Sequence, residues 1–173
     1  MPRLVLTLFF SLLLLGCSTY DYPSQVEIGK PMLSFEGESL AGKKFVFPRD
    51  VNGQQTILLF GYVHKSQFDI DRWLIGLDMS DVNVAIYEVP AIKGFFPRLF
   101  SKNFDDSMRE GIPKELWRDV VTVYQDGNAV QMYTGNQKPK NARLILLDKN
   151  GQVKHFYDRG FSVPALNALR EKL

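Results

Sequence analysis

The sequence predicts an α/β domain on a mixed, mostly parallel sheet flanked by helices. Three observations predict it. Thr56 to Val63 is a continuous apolar run of strand length, which suits a central strand covered on both faces. The period then turns helical, with Ile70, Trp73, Leu74 and Leu77 at i, i+3, i+4 and i+7. Near the end, two apolar runs flank Asp148-Lys149-Asn150-Gly151, as in a hairpin closed by Asn-Gly. Strands alternating with helices build parallel pairs, and the hairpin adds an antiparallel edge.

Each element has a local reason. Phe45-Val46-Phe47, closed by Pro48, is the first strand, and Thr56–Val63 after Asn52-Gly53 is the second. A helix follows from Ser66 to Asp78, with Ser66 and Asp69 spaced as a capping box. Gly76 weakens it by about 1 kcal/mol relative to Ala. Asp81–Val89 is a strand stopped by Pro90. Asn103 caps a helix through Met108, with Asp105 and Asp106 at its positive end and Arg109 near its C-terminus; Gly111 ends it. Pro113 opens a short helix to Arg118. Val120–Tyr124 is the next strand, and Ala129–Tyr133 a short amphipathic segment closed by Gly135. Arg143–Leu147 and Gln152–Tyr157 form the hairpin. Pro164–Leu173 is a terminal helix with Leu166, Leu169 and Leu173 at i, i+3 and i+7. No linker or repeat interrupts residues 29–173, which read as one domain.

Composition narrows the function. The 173 residues carry a formal charge of +2, and no like-charge block exceeds two adjacent residues. No nucleic-acid tail is indicated. The single cysteine, Cys17, excludes an intrachain disulfide, a Cys-x-x-Cys pair and a thiolate zinc site. Cys17 follows a twelve-residue apolar stretch, Leu4–Leu15, with Arg3 before it. A helix of that length reaches about 18 Å, short of the roughly 30 Å hydrocarbon core, and fits an export signal.

Leu14-Leu15-Gly16-Cys17 resembles the bacterial lipoprotein lipobox. The resemblance implies a signal peptide over residues 1–16 and a mature chain starting at an acylated Cys17. Each buried methylene contributes about 0.8 kcal/mol, so several acyl chains hold a protein on a membrane. Ser18 stands where inner-membrane lipoproteins often carry Asp, which favours the outer membrane. Residues 17–28 are then the lipidated N-terminus and a tether; Ser18–Gln25 extend to at most about 28 Å.

The element order resembles the thioredoxin-like fold in its peroxiredoxin and TlpA-type version. Leu40-Ala41-Gly42-Lys43, Ile57-Leu58-Leu59-Phe60 and Val121–Gly127 with Tyr133-Thr134-Gly135 carry it, as does Leu144-Ile145-Leu146-Leu147-Asp148-Lys149-Asn150-Gly151-Gln152-Val153. Trp73, Arg109–Leu116 and the hairpin also resemble the thioredoxin-related assembly factor of the mitochondrial ATP synthase. Redox members hold their thiols between the strand and first helix, where this chain has Tyr62-Val63-His64-Lys65-Ser66-Gln67-Phe68. A serine hydroxyl is hardly ionised at neutral pH and does not replace a thiolate. The usual cis-proline position holds Ala142, with Pro139 three residues earlier.

Other chemistry finds little support. His64 and His155 show no metal-ligand spacing, and no cofactor is expected. His155 reads as a surface residue and His64 as an exposed loop residue. No G-x-S-x-G surrounds Ser66, and no phosphate loop occurs. Asp69/Asp71 and Asp105-Asp106 read as helix N-terminal acids, and Lys138, Lys140 and Arg143 as a solvated edge. Trp73 and Trp117 hold core-like positions. Core packing is expected for Phe95–Phe100 over an exposed patch for a partner or membrane surface.

The expectation is a membrane-anchored envelope lipoprotein with a redox-inactive domain that binds an envelope protein, in assembly or chaperoning. The candidate binding loop is Tyr62, His64, Lys65, Ser66 and Gln67; the cleft rim is Pro139, Lys140 and Asn141, extended by Ala142 and the 91–112 insertion. The alternative is an enzyme or small-anion binder with His64, Lys65 and Ser66 at a helix N-terminus. A purely structural lipoprotein is the third reading. An open polar pocket beneath residues 62–67 favours the enzyme; a filled one leaves surface binding.

Overall fold

The computed structural model describes residues 22–173; the expected signal segment and Cys17 lie outside them. The strands are β1 (Phe35–Ser39), β2 (Lys44–Phe47), β3 (Thr56–Gly61), β4 (Ala85–Pro90), β5 (Val121–Thr122), β6 (Arg143–Leu147) and β7 (Val153–Tyr157). The α-helices are α1 (Gln67–Asp78), α2 (Phe95–Leu99), α3 (Ser101–Gly111), α4 (Gly127–Thr134) and α5 (Val163–Arg170).

Strands β2-β1-β5 form one sheet and β4-β3-β6-β7 another. Parallel bridges Glu88–Val120 and Ala91–Val123 join them, with Val123 N–H donating to Pro90 O at 2.9 Å. The result is one layer with β3 inside it, parallel to β4 and antiparallel to β6. Among the described residues, parallel pairing is confined to β3–β4 and the bridges Glu88–Val120 and Ala91–Val123. The sheet is less parallel than the strand–helix alternation suggests because β1 pairs antiparallel with both β2 and β5. The sequence reading omitted β1: Phe-Glu-Gly-Glu-Ser buries only its two ends and shows no apolar alternation.

The unbroken apolar run of β3 is explained by its two faces. Leu58 and Phe60 pack with Phe35, Phe47, Val89, Val121 and Ile145 on one side. Ile57 and Leu59 pack with Ile70, Trp73, Leu77, Leu144, Leu146, Leu166 and Leu169 on the other, beneath α1 and α5. Removing such apolar surface from water supplies the main folding force. Ser162 caps α5, its Oγ accepting from Ala165 N–H at 3.3 Å, with Pro164 in the first turn as such starts favour.

Several local expectations need correction. Ser66 and Asp69 form no capping box: Ser66 Oγ donates to Val63 O at 2.7 Å, and Asp69 bonds outside the helix end. Asn103 is no cap, because α3 already begins at Ser101. The helix expected over 113–118 is a 3-10 turn, Lys114–Leu116. Trp73 is fully buried, but Trp117 is half-buried, its indole N–H donating to Ile112 O at 2.9 Å. In the segment expected as a tether, the described residues dock on the domain. Tyr22 N–H donates to Asn136 Oδ1 and Asn136 N–H to Tyr22 O, both at 2.8 Å, and Gln25 N–H donates to Tyr133 O at 2.8 Å.

Candidate functional site

The candidate site forms where β3 runs out. Gly61 is required there by close approach: a Cβ would stand 2.7 Å from Ser66 Oγ and 2.9 Å from Ile70 Cδ1. The chain then passes through Tyr62 into a 3-10 turn, His64–Ser66, and directly into α1. His64 and Lys65 are exposed, Gln67 is half-buried and Ser66 is buried. Phe68, which the sequence reading did not single out, is 70% exposed beside them.

Tyr62 points inward and fills the space beneath this loop. Its hydroxyl bonds Thr134 Oγ1; since Thr134 itself donates to Val130 O at 2.7 Å, the phenol is the donor. Burial pushes the phenol pKa up to about 12, against the opposing pull of Arg143 and the Thr134 bond. Arg143 lies over the Tyr62 ring, 4.8 Å from its centroid, as a cation–π contact.

Arg143 is the clearest departure from expectation. Grouped in sequence with Lys138 and Lys140 as a solvated edge, it is only 1% exposed. Its Nε donates to Gly135 O at 2.8 Å, and Nη1 donates to Lys138 O and Asn141 O at 2.6 Å each. Burial pulls its pKa below the usual arginine range, partly offset by Tyr62 and Asp158. A buried charge needs hydrogen-bond partners, and here three backbone carbonyls take three of the five guanidinium N–H groups. The same bonds shape the rim: Pro139 and Asn141 are half-buried, and Lys140 is exposed.

Asp69 ties α1 to that rim. Its Oδ2 accepts from Ala142 N–H at 2.8 Å, and its Oδ1 from Phe161 N–H at 2.9 Å and from Arg72 Nη2 at 2.7 Å. The structure therefore brings loop 62–67 and rim 139–142 together through Tyr62–Arg143 and Asp69–Ala142. On the loop's other flank, Gln67 Nε2 donates to Asp71 Oδ1 at 2.9 Å and reaches Glu88 Oε2 at 3.4 Å. Glu88 is buried, and desolvation, with Asp71 nearby, pushes its carboxyl up to about 7.

Sequence reasoning missed Asp69 and Arg143 as site-shaping residues. A signal existed for Arg143: it opens the apolar run Arg143–Leu147, whose positions are all buried. His155 also needs correction. It is half-buried, with its Nε2 enclosed and unpartnered, and burial lowers its pKa. Among the described residues no cluster of His, Cys, Asp and Glu has the makings of a metal site. An open groove of about 560 Å³ lies away from the loop, at the start of β4, lined by Lys43, Phe45, Tyr87, Arg118 and Asp119.

No protein-family model matches the sequence, and no curated protein resembles it in sequence. Solved structures do resemble the fold. BsSco, of the Sco family of cytochrome c oxidase assembly proteins, matches with TM-score 0.60 and 10% identity over 86% of this chain and 96% of that one. A thiol:disulfide interchange protein from Bacteroides sp. matches with TM-score 0.57 and 16% identity, over 85% and 90%. The exposed lipoprotein thioredoxin of Streptococcus pneumoniae matches with TM-score 0.55 and 12% identity, over 82% and 100%. The fold is thioredoxin-like, and identities this low carry the fold alone.

Proposed function

We propose that the chain is an envelope lipoprotein whose thioredoxin-like domain works by binding another protein, with no thiol exchange. One observation carries the reading: the space beneath the strand-to-helix loop is filled by Tyr62, Thr134 and Arg143, and only a surface is left for recognition. The sequence places no cysteine after Cys17, so the domain has neither a dithiol nor a peroxidatic thiol. Exposed His64, Lys65 and Phe68 stand together on that surface, with Lys140 on the adjoining rim. The exposed Phe68 ring is the kind of aromatic anchor around which protein contacts are built.

A small-anion site at the head of α1 is less favoured, because Ser66 directs its hydroxyl to Val63 O and lies buried. Acylation at Cys17, an outer-membrane address and an assembly role complete the proposal. They rest on the lipobox resemblance, on Ser18 and on the likeness of the fold to assembly and lipoprotein neighbours. Mass spectrometry of the mature N-terminus tests the anchor: a diacylglyceryl Cys17 is expected, and an unmodified Met1 or free Cys17 overturns it. A photoreactive residue at His64 or Phe68 tests the binding face in cells. A discrete adduct absent from the same probe at Asn150, exposed on the far hairpin, is expected. Equal labelling from all three positions, or none, overturns the proposed face.

A further inference from the structure

Helix α3 is turned the wrong way for a helix that belongs to a soluble core. None of its residues is buried. It meets the domain through polar groups: Tyr124 Oη donates to Ser101 O at 3.2 Å and Asp105 Oδ1 at 2.8 Å, and Arg109 Nε donates to Leu40 O at 2.9 Å. Of its own apolar residues Met108 is half-buried, whereas Phe104 is exposed together with the two residues just before the helix. Phe100 and Phe104, one helical turn apart, are 51% and 46% exposed, and Leu99 beside them is 64% exposed. The expectation of core packing for Phe95–Phe100 is thus corrected at Leu99 and Phe100. Three large apolar side chains within six residues of chain are thus about half exposed or more, a local concentration that marks an interaction site more often than a scattered exposed residue does.

The charge around the tip says what covers it. Lys93, Arg98 and Lys102 lead up to Phe104 with no acid among them, and the acids that follow, Asp105 and Asp106, are engaged by Tyr124 and Arg109. Arg98 and Lys102 flank Leu99 and Phe100 and are exposed; Arg98 also donates to Gln125 O at 3.2 Å. Cations beside exposed aromatic and leucine side chains match an anionic bilayer interface, where apolar groups enter the acyl boundary and cations meet phosphates. We propose that the tip of the insertion, Arg98 to Phe104, docks on an anionic phospholipid surface and fixes how the domain sits on its membrane. This surface is separate from the loop at 62–68; the inference rests on the proposed lipid anchor and not on the protein-binding reading.

The test uses the full chain reconstituted into vesicles with brominated acyl chains, which quench tryptophan only at short range. Phe100→Trp places a reporter on the tip, and Met79→Trp, at a site 80% exposed on α1, serves as the control. With the parent chain's emission from Trp73 and Trp117 subtracted, the emission added by Phe100→Trp in equal parts phosphatidylglycerol and phosphatidylcholine is expected to be quenched by about half or more, and that added by Met79→Trp unchanged, as interfacial burial requires. Adding Arg98→Glu and Lys102→Glu is expected to cut that quenching severalfold, since each cation near an anionic surface is worth about fivefold in partitioning. Comparing both reporters within anchored chains separates tip insertion from attachment through the N-terminus. Equal quenching of the two reporters, or quenching as strong in pure phosphatidylcholine, overturns the proposal. An absence of quenching also overturns it, and a photocrosslink from position 100 to a protein in cells would then assign the tip to a protein partner.

Discussion

Asp69→Ala is the perturbation with the most to say about the site. Asp69 is 2% exposed and holds two backbone N–H groups, of Ala142 and Phe161, along with Arg72. Alanine leaves both N–H groups without their acceptor. An unpartnered buried donor costs about 1–3 kcal/mol, so fully buried Ala142 contributes about 2 and half-buried Phe161 about 1. Arg72 is 60% exposed, so its ion pair adds no more than about 1 kcal/mol. The better helix propensity of alanine returns about 0.5 kcal/mol. The net expectation is a loss of about 3 kcal/mol, or roughly 6–12 °C in Tm for a domain of this size. Urea unfolding measures it, and hydrogen exchange at Ala142 and Phe161 should accelerate in step. Arg72→Ala is expected to cost far less. A loss below about 1 kcal/mol for Asp69→Ala, or equal losses for the two variants, would refute the role assigned to Asp69.

Three further outcomes follow from the same geometry. Glu88 titrates from an ordinary 4.5 up to about 7 in the fold. Folding therefore favours its neutral form: the penalty is absent below about pH 4.5, grows with pH and is complete above about pH 7, reaching about 3 kcal/mol at about 1.4 kcal/mol per pH unit. Glu88→Gln should flatten this fall and stabilise the protein at pH 8 more than at pH 5; equal effects at both pH values would contradict it. Gly127→Ala puts a Cβ 2.2 Å from Ile92 O, a backbone atom with little room to give. A loss above about 2 kcal/mol by urea unfolding is expected, and neutrality would contradict the close approach. Arg143→Met strips three carbonyls of their donor and should cost about 2 kcal/mol. Arg143→Lys should recover about half at most, because a single ammonium does not reproduce the planar fork.

Elements with strong periodicity were legible before the structure. The β3 run, the α1 face and the Asn150-Gly151 hairpin each express a single period, and each stands where the sequence places it. β1 was not legible because its pairing buries Phe35 and Ser39 but leaves glutamates between them. The loop that follows β3 was legible in the sequence, and the side chains that shape it were not. The absence of cysteine marked the loop, yet the roles of Asp69 and Arg143 depend on residues 73 positions away and on carbonyls of a neighbouring turn. Spacing along a chain does not report such contacts. Phe100 misled for a related reason: apolar character implies burial on average, and this insertion turns its polar face inward.

The central claim is that the exposed strand-to-helix loop recognises a protein without sulfur chemistry. The most direct measurement places a photocrosslinker at Lys140, on the rim, and compares the parent chain with Phe68→Ser in cells. Phe68 is 70% exposed, so the substitution should leave Tm unchanged. The expected result is a discrete adduct in the parent that falls about tenfold in Phe68→Ser, the loss typical of one aromatic anchor. No adduct in the parent, or an adduct undiminished by Phe68→Ser at equal stability, would contradict recognition through this loop.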